Sequence, residues 1–156
     1  MELVNLNHNM KLSEHFSLGE LTKSKHAEVY NIPSHVAIEN LKRVCGWLEM
    51  LRDEWNRRYG EGDDPIIINS GYRSPQLNKK VGGSNTSNHL TGCAVDIRVL
   101  GMEQALRYAT ILLDISDQSQ EDFDELLIEK NRYGSIWAHF AVRPKDNRRK
   151  IAWLIV

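Results

Sequence analysis

Two histidines and one aspartate stand where polar side chains are costly. His89 closes a polar loop, Gly82-Gly83-Ser84-Asn85-Thr86-Ser87-Asn88, and Gly92 just after it permits a sharp turn. Asp96 then falls inside an apolar run, with Ala94-Val95 before it and Ile97 after. A carboxylate there is unfavourable unless something pairs with it. His139 is set likewise within Ile136-Trp137-Ala138-His139-Phe140-Ala141-Val142. Two imidazoles and one carboxylate make a three-donor set for zinc, with a fourth position left for water, which is the pattern of a catalytic site. On pattern alone this reading stands level with a buried His–Asp hydrogen-bonded pair in a metal-free binding protein. The chain has no His-Glu-x-x-His helix, so the common zincin arrangement is excluded. Cys93 lies three residues before Asp96, but a fourth protein donor would close the site, so it is not counted as a ligand. The remaining histidines, His8, His15, His26 and His35, sit in polar or helical contexts and read as surface or structural residues.

The elements that must carry these residues are legible from periodicity. Ser17-Leu18-Gly19-Glu20 fits a capping box and starts a short helix. Ser34 caps a long helix whose apolar positions, Ile38, Leu41, Val44, Leu48, Leu51 and Trp55, recur by threes and fours. A β-branched run at residues 66–68 reads as a buried strand. Ser74-Pro75 opens another short helix, with proline at its first position. Residues 93–99 form a strand, and residues 102–115 a helix with Leu106, Ala109, Leu112 and Leu113 on its apolar side. Strands at 123–130 and 136–142 flank the turn Asn131-Arg132-Tyr133-Gly134-Ser135, and residues 151–156 add a last strand. Helices first and paired strands later suggest an α+β fold, with N-terminal helices packed on a small, mainly antiparallel sheet, over one domain spanning 1–156.

Bulk composition narrows the classes. The chain has 156 residues, enough for a core without staples, and its formal net charge of -1 gives no field for nucleic acid. Arg57-Arg58 and Arg148-Arg149-Lys150 read as solvated faces or turns. Cys45 and Cys93 make no disulfide framework, and Cys45 falls in the apolar stripe of the long helix. No stretch is long enough to span a membrane, and residues 1–16 hold no apolar core of secretory-signal length. A monomer, cytoplasmic as synthesised, without nucleic-acid or membrane partners, is expected.

Several ordered motifs carry a resemblance. Ser87, His89, Gly92, Ala94 and Asp96 match all five fixed positions of S-x-H-x-x-G-x-A-x-D. This signature resembles that of the zinc D-Ala-D-Ala carboxypeptidase and dipeptidase family, which shares its fold with the Hedgehog signalling domain. Ser70-Gly71-Tyr72-Arg73-Ser74 resembles the family's G-Y-R segment, and Trp137-Ala138-His139 its W-x-H strand. Leu12-Ser13-Glu14-His15-Phe16-Ser17 and Asn147-Arg148-Arg149 resemble small phage and prophage members, so the similarity covers nearly the whole chain.

The resemblance implies a zinc peptidase acting on peptidoglycan stem peptides, as a D-Ala-D-Ala carboxypeptidase or a related endopeptidase. It assigns His89, Asp96 and His139 to zinc, and Arg73, with Tyr72 and Ser87, to the substrate; for Ser87 a hydrogen bond to the ligand histidine and plain loop chemistry stay open as well. A planar, permanently charged guanidinium suits Arg73 to a carboxylate or a scissile carbonyl. The bond cut stays open, among D-Ala-D-Ala, L-Ala-D-Glu and cross-bridge bonds. Release in a phage-type, endolysin-like manner would bring such an enzyme to the cell wall. The alternative is a zinc-binding recognition module of the same fold without turnover.

That alternative persists because many relatives carry an acid three positions before the last histidine, where this chain has Ile136. A family variant places the acid at the end of the preceding strand, which Glu129 matches, with Glu125 in reserve. If Glu129 lies opposite Trp137 in an antiparallel pair, Leu127 lies opposite His139 and all four share one face. Glu129 and Glu125 are then diagonal neighbours of His139 on either side, while Asp124 points to the other face. A one-residue slip would turn Glu129 away.

Overall fold

The computed structural model describes residues 7–156; Met1 to Leu6, part of the 1–16 stretch read above as lacking a secretory core, lie outside it. Helix α1 (Leu18–Thr22) begins at the expected capping box: Ser17 Oγ accepts from Glu20 N, and Ser17 N donates to Glu20 Oε1. Helix α2 (His35–Arg58) is capped by Ser34, whose Oγ accepts from Ala37 N. All six residues of its expected stripe are buried. Helix α3 (Pro75–Lys80) starts after Ser74, with proline in its first turn.

Five strands form one mixed sheet in the order β1-β2-β4-β3-β5. They are β1 (Ile68–Ser70), β2 (Ala94–Arg98), β3 (Glu125–Lys130), β4 (Ile136–Ala141) and β5 (Lys150–Ile155). Pairing is antiparallel except for β5, which runs parallel to β3. Strand period two divides the sheet's faces. Val95, Ile97, Leu126, Ala138 and Phe140 face α2 and helix α4 (Met102–Ser119) and join the apolar core. There Trp47, Phe123 and Phe140 stack at centroid distances of 5.4–6.4 Å, and each such buried ring contributes roughly 1.5–3 kcal/mol. The alternate positions Asp96, His139, Glu125 and Glu129 share the opposite face, which carries the polar site.

Two expected elements shift. The strand expected at 66–68 begins only at Ile68, which pairs with Ile97; just before it, Arg98 N donates to Ile67 O. Ile67 is exposed, between the buried Ile66 and Ile68. Helix α4 continues to Ser119, since Ser116 is buried and its hydroxyl donates to the Glu121 carbonyl. Its buried side is Ala105, Tyr108, Ile111, Leu112 and Ile115; Leu106 points to solvent, because these residues already form the inward stripe by threes and fours.

Cys45 and Cys93 are both buried free thiols, and burial pushes Cys45 up to about 12, an inert core residue. No helix among the described residues is long and apolar enough to cross a membrane.

Candidate metal centre

The β2–β4 register sets Asp96 directly opposite His139, and the turn before β2 brings His89 beside them. One donor atom from each of His89, Asp96 and His139 lies within 4.8 Å of the others, and all three residues are buried. Asp96 Oδ1 is 3.4 Å from His89 Nε2 and 3.1 Å from His139 Nδ1. Burial alone would raise the Asp96 carboxyl, but the two imidazoles hold it well below the usual carboxylate range. Cys93 lies outside this cluster.

Each imidazole has its outer nitrogen occupied, which leaves the inner one facing Asp96. His89 Nδ1 lies 2.7 Å from the Gly71 carbonyl oxygen, which can only accept, so Nδ1 donates there and Nε2 is left facing Asp96. The Gly71 carbonyl is in turn fixed by its neighbours. Tyr72 N donates to Leu21 O at the end of α1, and Asn31 Nδ2 donates to both Thr22 O and Tyr72 O. A Cβ at Gly71 would run into the Leu21 carbonyl, which explains the glycine. Gly92 closes the short 3-10 turn at Asn88–Thr91 with φ +76, and a Cβ there would meet the Ala37 carbonyl.

His139 is held by charge instead. Its Nε2 lies 3.0 Å from Glu125 Oε1 and its Nδ1 faces Asp96. Burial would lower His139, but Asp96 and Glu125 raise it to about 10. The hydrogen bond from His139 in turn brings Glu125 down to about 2, against its burial. Asn88 Nδ2 donates to Glu125 Oε1 at 2.7 Å and to Asp124 Oδ2 at 2.8 Å. Asp124 is fully buried and is clamped by Arg148 at 2.8 Å and Arg143 at 3.2 Å. Arg148, taken from the sequence as part of a solvated basic run, therefore serves a buried carboxylate. Asn88, Asp124, Arg143 and Arg148 are the residues sequence reasoning missed here. Asn147-Arg148-Arg149 was the available signal.

Glu129 lies opposite Trp137 and Leu127 opposite His139, the register expected from the sequence. Glu129 Oε1 lies 3.8 Å from His139 Nδ1 and accepts from Trp137 Nε1 at 3.1 Å. Burial pushes its carboxyl up. The two acids of β3 thus differ: His139 holds the Glu125 carboxyl low, and burial holds the Glu129 carboxyl above its ordinary value beside the donor cluster.

Arg73 is brought to the site, with NH2 3.2 Å from Asp96 Oδ2, NH1 near Asn78 Oδ1 and Nε near Ser70 Oγ. Ser87 caps the 3-10 turn, accepting from His89 N through its Oγ. No bond from its hydroxyl to the imidazole is present. Tyr72, between Gly71 and Arg73, is buried with the apolar core.

Residues 14–124 match the peptidase M15 family model. That range includes Arg73, His89 and Asp96; Glu125, Glu129 and His139 lie beyond it. Over 40 residues the chain is 45% identical to the zinc D-Ala-D-Ala carboxypeptidase of Streptomyces albus G, a stretch amounting to 26% of this chain. The matching stretch spans 16% of that relative's length.

Proposed function

The chain belongs to the peptidase M15 family, and from that premise we propose that it is a zinc-dependent peptidase hydrolysing a peptide bond in peptidoglycan stem peptides. The observation that carries the reading is the convergence of His89, Asp96 and His139, each imidazole with its outer nitrogen engaged. Two nitrogens and one carboxylate oxygen, buried and aimed inward, suit zinc with one position left over. When bound, zinc supplies Lewis acidity, polarising a carbonyl and letting water lose its proton near neutral pH.

The chain's own residues supply the rest. Glu129 takes the proton from the attacking water at its carboxylate and returns it to the leaving amine; its raised pKa suits both steps. Trp137 holds the Glu129 oxygen in place through its indole N–H. Glu125 keeps the His139 ring in orientation. Arg73 orients the substrate by a carboxylate or by the scissile carbonyl while bracing Asp96. A half-buried acid beside the donors favours turnover over zinc-dependent recognition alone.

Mass spectrometry of purified peptidoglycan fragments after incubation with the zinc-loaded protein tests the proposal. Loss of a defined amino acid or dipeptide, or separation of a cross-link, is expected. Intact fragments at high enzyme concentration would leave the recognition module as the better account.

A further inference from the structure

The site is electrostatically lopsided. Glu125 and Glu129 stand on its β3 side. On the other side, past Arg73, a cleft of about 180 Å³ opens between the chain after α1 and the β1–α3 turn. Lys23, Lys25, His26, Asn69, Ser70 and Arg73 line it, and no carboxylate does. Lys23 and Lys25 are exposed, and neither has an ion-pair partner among the described residues. His26 is 3.6 Å from Glu28 and is thus offset. The whole chain is near neutral, at a formal -1, so this cationic lining is local.

Arg73 links the cleft to the donor cluster. Its hydrogen bonds to Ser70, Asn78 and Asp96 use three of the five N–H donors of a guanidinium, leaving two for a ligand. The last turn of α3, whose residues also border the cleft, adds Lys79 and Lys80 to the positive field.

We propose that this cleft is a subsite for a carboxylate of the peptide substrate, with Lys23 and Lys25 as its specificity-determining residues. The inference rests on the peptidase reading and deepens it. It gives the substrate a direction, with an anionic group on the β1 side, the scissile bond at the donor cluster and the proton-accepting Glu129 on the β3 side. The carboxylate can come from the peptide's C-terminus or from an internal glutamate, and the test separates these.

The experiment compares the full-length zinc-loaded protein with its Lys23→Gln/Lys25→Gln double variant by steady-state kinetics. Three synthetic stem peptides are used: unmodified, amidated at the internal glutamate, and amidated at the C-terminus. For the unmodified peptide, KM is expected to rise about tenfold in the variant, the size of one lost charge-assisted contact, with kcat unchanged. The peptide lacking the recognised carboxylate shows the higher KM with both proteins, which identifies the source. Equal KM values for both proteins on the unmodified peptide overturn the proposal, as does a variant effect that persists undiminished with both amidated peptides. Should the wild type cleave none of them, the peptidase reading fails. The same comparison is then made by equilibrium binding, where equal affinities of the two proteins for the unmodified peptide overturn the subsite.

Discussion

His89 and His139 are held by different kinds of acceptor. The Gly71 carbonyl fixes His89, on a turn pinned by α1 and Asn31. Glu125 fixes His139, within a network of Asn88, Asp124, Arg143 and Arg148. A backbone acceptor is neutral and depends on how the chain turns. A carboxylate acceptor is charged and can be removed by one substitution. The first half should therefore fail through its fold, and the second should be tunable through its charges.

The largest effect is expected where the two acids of β3 are compared. Glu129→Gln keeps the shape and removes the proton acceptor, so the rate should fall ~10²–10⁴-fold with zinc content near wild type. Glu125→Gln loses the charge that orients His139 and should cost ~10–100-fold in zinc affinity or activity. Parallel metal analysis and peptide turnover distinguish them; full activity in Glu129→Gln with collapse in Glu125→Gln would interchange their roles. Next comes Arg73→Ala, which should retain zinc and weaken turnover of the stem peptide, with only partial recovery in Arg73→Lys. Wild-type kinetics in Arg73→Ala would reduce that residue to a brace for the turn and Asp96.

Asp124 sharpens the charged half through stability. Burial would raise its carboxyl, but Arg148, Asn88 and Arg143 lower it to about 2. Its folded pKa lies below the unfolded value of ~3.9, so its contribution is present above that value and disappears as pH falls towards about 2. Asp124→Asn should cost about 2 kcal/mol in unfolding free energy at pH 7. The gap to wild type should close below pH ~4. A gap independent of pH would assign the cost to packing instead of charge. The smallest effect is expected at Ser87→Ala. Losing that cap should cost ~1 kcal/mol of stability with little change in rate, because Gly71 holds the His89 ring. A large loss of rate in this variant would restore a direct role for the Ser87 hydroxyl.

Much of this arrangement was legible because it rests on local rules. Ser17, Ser34 and Ser74 announce their helices by capping chemistry. Period two placed Glu129 and Glu125 on the His139 face once the five-residue turn set the register. What escaped depends on long-range partners. Arg148 looks like surface charge until the Asp124 carboxylate, 24 positions away, is found beneath it. Leu106 looks like core until Tyr108 and Ile111 turn out to fill the inward stripe. Tyr72 belongs to a motif that reaches the site: its backbone N–H is tied to Leu21, while Gly71 and Arg73 on either side contact the donor residues.

Zinc stoichiometry by elemental analysis tests the central claim most directly. The wild-type protein, purified without added chelator, should retain about one zinc per chain, and His89→Ala and His139→Ala should each lose tight binding. Stoichiometric zinc held tightly by both variants would contradict the metal centre described here.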